Sequence, residues 1–232
     1  MNKEELKVKY GDEKVLCISN HHLNSWFRTE PNKIDALIKG MSYHSYFDYR
    51  YNAEIDYTAK QVIPYVVLKH GDKYFVTTRL KGDSRLVGGS SIAVGGHINP
   101  EDAAIEALPE FTLLNCIYRE LLEETTVTKK ALSNANIEYK TVFVDESSDV
   151  SKVHVCLLTV VDLSDSELVD IKETDKLLGM WMTAEEIMVI MDAFEGWSKI
   201  AIDLLGIGHT EAEPAPKKRK KSKVTKTNDE NE

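Results

Sequence analysis

Arg119-Glu120-Leu121-Leu122-Glu123-Glu124 places three carboxylates at positions i, i+3 and i+4. On a helix, residues at that spacing share one patch of surface. The flanking sequence supports a helix, because Leu113, Leu114, Ile117 and Leu121 recur at helical spacing. Three like charges so close repel one another, and the nearest basic residues are Arg119 before the cluster and Lys129 after it. A hard divalent cation relieves that repulsion: Mg²⁺ takes carboxylates together with waters and substrate phosphate oxygens. An acidic helix face is by itself more often a solvated surface than a metal site, so the surroundings must decide. Upstream, a strand ending in Gly95-Gly96 offers a backbone that a ligand can approach closely. Asn99-Pro100-Glu101-Asp102 then reads as a helix start, with Asn99 as cap and Pro100 in the first turn.

The elements that would position these groups alternate between β and α patterns. Residues 14–19 read as a short strand, and residues 32–40 as a helix closed by Gly40. Residues 42–57 are dense in Tyr, Phe and His, a pattern that fits core packing, a pocket wall or a dimer contact. The apolar, β-branched run of residues 62–69, a His70-Gly71-Asp72-Lys73 turn and residues 74–79 form a hairpin pattern. Further strands are expected at residues 137–144, 153–161 and 180–182, and helices at residues 184–194 and 197–205. Pro109 should break or restart a helix, so the glutamate helix is expected to begin near residues 109–112. Interleaved strands and helices indicate an α/β sandwich.

Bulk properties narrow the function classes. The chain has 232 residues, 42% hydrophobic and 29% charged, enough for an ordinary core. No apolar run approaches the ~18–20 residues that cross a bilayer, and Met1-Asn2-Lys3-Glu4-Glu5 does not read as a signal peptide, so no membrane association is expected. Cys17, Cys116 and Cys156 stand singly among apolar neighbours, which reads as buried free thiols in a reducing cytoplasm. The formal charge of −9 is uneven: from Pro214 onward seven Lys/Arg face three Asp/Glu, leaving −13 on the other 213 residues. An acidic body argues against general nucleic-acid binding. The tail has no apolar periodicity and reads as disordered, resembling a basic nuclear-import signal, with a solubilising or weakly nucleic-acid-attracted segment the favoured alternative.

Taken together, the residues resemble the signature of the Nudix hydrolases, which runs Gly, five residues, Glu, seven residues, then Arg-Glu-apolar-x-Glu-Glu-x-Gly-apolar. Arg119 to Val127 matches the second half, with Thr126 in place of glycine. Gly96 matches the start, and Asp102 stands where the family has Glu. Twenty-two residues separate Gly96 from Arg119, nine more than in the signature, so Asp102 is not counted among the site residues. The resemblance covers residues 60–206 and implies a Nudix-type α/β/α sandwich with a mixed β-sheet and a catalytic loop-helix-loop. The expected organisation is an N-terminal extension packing on the body (1–59), the Nudix domain (60–208) and a basic tail (209–232).

The resemblance also implies roles. Glu123 and Glu124 would bind Mg²⁺ or Mn²⁺ directly, with help from the Gly95 carbonyl. Glu120 would be a ligand, directly or through water, or the base that activates water. Arg119 would orient a glutamate. A further acid from a later loop would be Glu173, with Glu146 and Asp149 as competitors and solvated loop acids as the plain alternative. Arg79 and Arg85 would contact substrate phosphates, with plain surface arginines as the alternative, and Gly96 and His97 would border the substrate, with a packing role for His97 equally open. His21, His22 and His44 show no metal-binding spacing. The implied activity is hydrolysis of a diphosphate linkage in a nucleotide substrate: a nucleotide sugar, ADP-ribose, a dinucleotide or a nucleoside triphosphate. Two alternatives stay open, a nucleotide-sensing module without hydrolysis and an RNA 5′-end hydrolase. Relatives often pair, which makes a homodimer a candidate assembly.

Overall fold

Capping residues and apolar runs set the elements in chain order. The computed structural model describes residues 2–81, 88–103, 108–164, 168–172 and 174–209. Asn2 caps α1 (Lys3–Tyr10) reciprocally with Glu5. Strand β1 (Lys14–Ser19) leads to α2 (Asn20–Thr29) and α3 (Lys33–His44), with the Asn32 side chain accepting the Ile34 N–H at 2.8 Å. The expected stop at Gly40 is not made, and α3 runs to His44. Gly40 is buried in the helix, and a Cβ there would meet Ile18 at an ordinary contact distance of 3.5 Å. Then follow β2 (Ser45–Tyr49), α4 (Arg50–Ala53), β3 (Ala59–His70), β4 (Lys73–Arg79), β5 (Ser90–Ser91) and β6 (Val94–Gly95). The glutamate helix α5 (Pro109–Glu124) starts at the proline, whose missing N–H is harmless in a first turn. After α6 (Lys129–Asn134) come β7 (Asn136–Phe143), β8 (His154–Asp162), β9 (Leu177–Thr183), α7 (Ala184–Val189) and α8 (Gly196–Leu204). The helix expected over residues 184–194 ends at Val189 and is followed by a 3₁₀ turn, Met191–Ala193.

The sheet is mixed and centred on β3. β8 pairs with β3 in parallel from Gln61 opposite His154 to Lys69 opposite Asp162, while β1, β4 and β6 pair with it antiparallel. β3 is buried from Ala59 to Leu68, and a strand covered on both faces has no reason to alternate polar and apolar residues. Pro64 sits between the segments paired with β1 and β6, where no ladder donor is required on that side. The N-terminal segment joins the same sheet, with β2 pairing β1 at the edge.

Successive β3 side chains serve opposite layers. Val62, Val66 and Leu68 pack with Leu113, Ile117 and Leu121 of α5, alongside Leu23 of α2 and Leu37 of α3. Tyr65 and Val67 face Ile187 of α7 and Ala201 and Ile202 of α8. The architecture is therefore the expected α/β/α sandwich. Burying Leu113, Ile117 and Leu121 completely stabilises α5 by about 1.5–3 kcal/mol each. Like-charge pairs on a helix cost only about 0.2–0.5 kcal/mol each, so core packing holds the acidic patch in place.

Candidate active site

The nine extra residues between the glycine pair and the glutamate helix do not separate the two halves. Glu120 lies directly against Gly96: a Cβ built there would stand 1.9 Å from the Glu120 Cδ. Only glycine permits that approach, so the pair is a contact surface for the carboxylate. Gly95 holds the pair in register by bridging Tyr65 of β3. Gly96→Ala is therefore expected to displace Glu120 while sparing the fold, lowering turnover by about 10²-fold, the usual effect of a ~1 Å misplacement. Steady-state kinetics with circular dichroism would check this, and wild-type turnover would refute the contact.

Arg119 ties the halves together. Its Nε and Nη2 donate to both oxygens of Asp102 at 2.9 and 2.8 Å. Nη2 also reaches the His97 carbonyl at 2.8 Å, and Nη1 donates to Glu120 Oε1 at 2.7 Å and Glu123 Oε2 at 3.2 Å. Asp102 is 3% exposed and also accepts the Asn99 N–H at 2.9 Å. The helix start expected at Asn99 falls on residues 99–103, and its continuation over residues 104–107 lies outside the described residues. Residues 99–103 make consecutive turns, and the Asn99 Oδ1 is buried without a hydrogen-bond partner among the described residues. Asp102 is the residue that sequence reasoning set aside. Its signal was there, with five residues between it and Gly96 as in the signature, but the unfamiliar spacing to Arg119 discounted it.

Electrostatically the patch suits a hard cation. Glu120, Glu123 and Glu124 form an oxygen-only donor set on one helix end, and Arg119 bridges from buried Asp102 to Glu120 and Glu123. Burial raises the Glu120 carboxyl above its ordinary value, against the opposing pull of Arg119. Glu123 is mostly exposed. The departure at Thr126 has a structural reason. Thr125 leaves the helix extended (φ −121°, ψ 167°), and its Oγ1 donates to the Leu121 carbonyl at 2.7 Å. Thr126 then donates its N–H to the Asp170 carbonyl at 2.8 Å, while its Oγ1 accepts the Asp170 N–H at 2.9 Å. The Lys172 N–H closes on the Glu124 carbonyl at 2.8 Å. The chain leaves the helix by pairing with a neighbouring strand segment, so the left-handed residue that glycine supplies is not needed.

The other singled-out residues lie elsewhere. Arg85 and Glu173 fall outside the described residues, as does the basic tail. Arg79 ends β4, and its Nε is buried without a partner among the described residues. The His97 ring turns towards His154, with Nε2 atoms 3.4 Å apart, while its backbone carbonyl serves Arg119. Glu146 pairs with Lys60 at 3.3 Å and Asp149 with Lys152 at 3.1 Å. All three cysteines are free and buried, and burial pushes the Cys17 thiol up to about 12, which makes it a poor nucleophile. No helix among the described residues is long and apolar enough to cross a membrane.

No protein-family model matches the chain. The curated Protein YmaB of Bacillus subtilis (strain 168) is 34% identical over 163 residues, spanning 67% of this chain and 76% of that protein. Among solved structures, Tm1382, assigned as a Nudix hydrolase, superposes with a TM-score of 0.68 at 27% identity, covering 83% of this chain and 98% of that one.

Proposed function

The chain belongs to the Nudix hydrolase superfamily, and from that premise we propose that it hydrolyses the diphosphate linkage of a nucleoside diphosphate derivative, using Mg²⁺ or Mn²⁺. The observation that carries the reading is Glu120 seated on Gly96 and fixed by Arg119, with Glu123 and Glu124 beside it on the same helix. A pure nucleotide sensor has little use for a repulsive carboxylate cluster held this way, which favours hydrolysis over sensing.

Glu123 and Glu124 would hold the cation directly, with the Gly95 carbonyl at the same loop, and Glu120 would act through the water beside it. The bound ion would neutralise phosphate oxygens and lower the pKa of water. Arg119 occupies Glu120 Oε1 and fixes the carboxylate's orientation, leaving Oε2 to accept a proton from the attacking water. Its raised proton affinity suits that role, since a base works best with a pKa nearer the working pH. Arg79 and Arg85 are proposed to neutralise substrate phosphates, and Glu173 to add a carboxylate from the later loop.

The test is turnover. Purified protein would be incubated with Mg²⁺ or Mn²⁺ and a panel of nucleotide sugars, ADP-ribose, dinucleotides, nucleoside triphosphates and 5′-capped RNA. Cleavage of at least one small diphosphate, abolished by EDTA and restored by Mn²⁺, is expected. Nucleotide binding without turnover of any compound would replace hydrolysis with sensing.

A further inference from the structure

Beside the glycine loop, three potential ligands converge that the carboxylate helix does not use. Glu54, just after α4, His97, after β6, and His154, at the start of β8, each bring one ligand atom within 4.8 Å of the other two. We propose that they form a second metal centre, separate from the carboxylate patch. It would take one zinc-like transition-metal ion and clip the N-terminal segment to the glycine loop and the central sheet.

The geometry fits such an ion. The two Nε2 atoms stand 3.4 Å apart. Metal–nitrogen bonds of ~2.0–2.1 Å in a tetrahedral site place two nitrogens about 3.3–3.4 Å apart, so the rings already span one edge of the polyhedron. His154 is oriented as a ligand: its Nδ1–H can donate to the Val150 carbonyl, 2.6 Å away, which fixes the tautomer whose Nε2 lone pair faces the cluster. Arg50 lies close, and its charge is shared by Glu13 at 3.1 Å and Glu54 at 3.2 Å.

The donor set separates this centre from the helix patch. Two imidazoles and one carboxylate suit Zn²⁺ and its transition-metal neighbours, whereas an all-oxygen set suits Mg²⁺. The two sites also lie on different sides of the loop: a Cβ at Gly96 points into Glu120, while the His97 ring turns to His154 and Glu54. They are linked through one residue, because the His97 carbonyl accepts the Arg119 Nη2–H. The Leu16 N–H donates to the Ile98 carbonyl at 2.9 Å, so the loop already leans on β1, and an ion would add a second fastening.

The experiment uses the full chain, stripped with a chelator and titrated with Co²⁺ and Zn²⁺. A Glu123→Gln/Glu124→Gln background removes direct ligands of the helix patch. In that background one equivalent of Co²⁺ is expected to bind with the visible absorption of a nitrogen-ligated ion, and Zn²⁺ should displace it. Adding Glu54→Gln or His97→Ala should weaken binding by about tenfold or more and remove the Zn²⁺-induced rise in Tm. Glu54→Gln is isosteric and keeps an oxygen for Arg50, so it keeps the test valid if a histidine variant misfolds. No nitrogen-ligated absorption in the parent background would overturn the assignment. So would binding that Glu54→Gln and His97→Ala leave unchanged.

Discussion

Glu120→Gln is expected to lower kcat by about 10³-fold, roughly 4 kcal/mol of transition-state stabilisation, while leaving Tm unchanged or slightly higher. The two halves of that expectation have one cause. Glu120 is largely buried against Gly96, and burial outweighs Arg119 in setting its proton affinity. A carboxyl whose folded pKa lies above its unfolded value binds its proton more tightly in the folded state. Its ionised form therefore costs stability at neutral pH, and the cost disappears as pH falls below the unfolded value. Glutamine removes the charge and keeps the oxygen that accepts from Arg119 at 2.7 Å, so the local geometry should survive. What it removes is the negative charge for the cation and the oxygen that takes a proton. Kinetics at saturating Mn²⁺, with thermal melts on the same preparations, separate the two effects. Unaltered kcat would remove Glu120 from the chemistry, and a large fall in Tm would show that its role is structural. A site whose buried carboxylate costs more in desolvation than its ion pair returns trades stability for function.

Much of this site is local in sequence, which is why it was legible. The convergence of Glu120, Glu123 and Glu124 follows from helical spacing, and Pro109 marks the helix start to the residue. β1 spans the expected residues, and the apolar run within β3 identifies the central strand because both its faces are covered. What escaped depends on contacts between distant segments. Gly40 carried a helix-stop signal, but α3 continues through it to His44 with Gly40 and Met41 buried. Asp102 was discounted because sequence spacing measures chain length, whereas the Arg119 guanidinium reads only the distance across the fold. The Glu54, His97 and His154 group has separations of 43 and 57 residues, set by sheet pairing rather than by any motif. Thr126 looked like a lost helix stop until Asp170, forty-four residues later, supplied its partner.

The second large effect concerns Arg119 and is expected in stability as well as rate. Arg119→Ala leaves Asp102, 3% exposed, with the Asn99 N–H but without its cation. Removing one partner of a buried ion pair costs about 3–5 kcal/mol, which for a chain of this size lowers Tm by roughly 10 °C. The rate should fall too, because Glu120 and the His97 carbonyl lose the donor that fixes them. Arg119→Lys should recover only part of either loss. An ammonium is a point charge and does not reproduce the planar fork that meets both Asp102 oxygens. The double variant Arg119→Ala/Asp102→Asn should be less destabilised than the two single losses added together, because the orphaned charge is gone. Urea midpoints with unchanged m-values would measure this coupling. If Arg119→Ala stayed within the ~0.5 kcal/mol typical of surface substitutions, Arg119 would be only a surface residue. With a substantial coupling, Asp102 takes on the task of holding the catalytic arginine, and the stretched spacing before Arg119 becomes a loop insertion that the ion pair bridges.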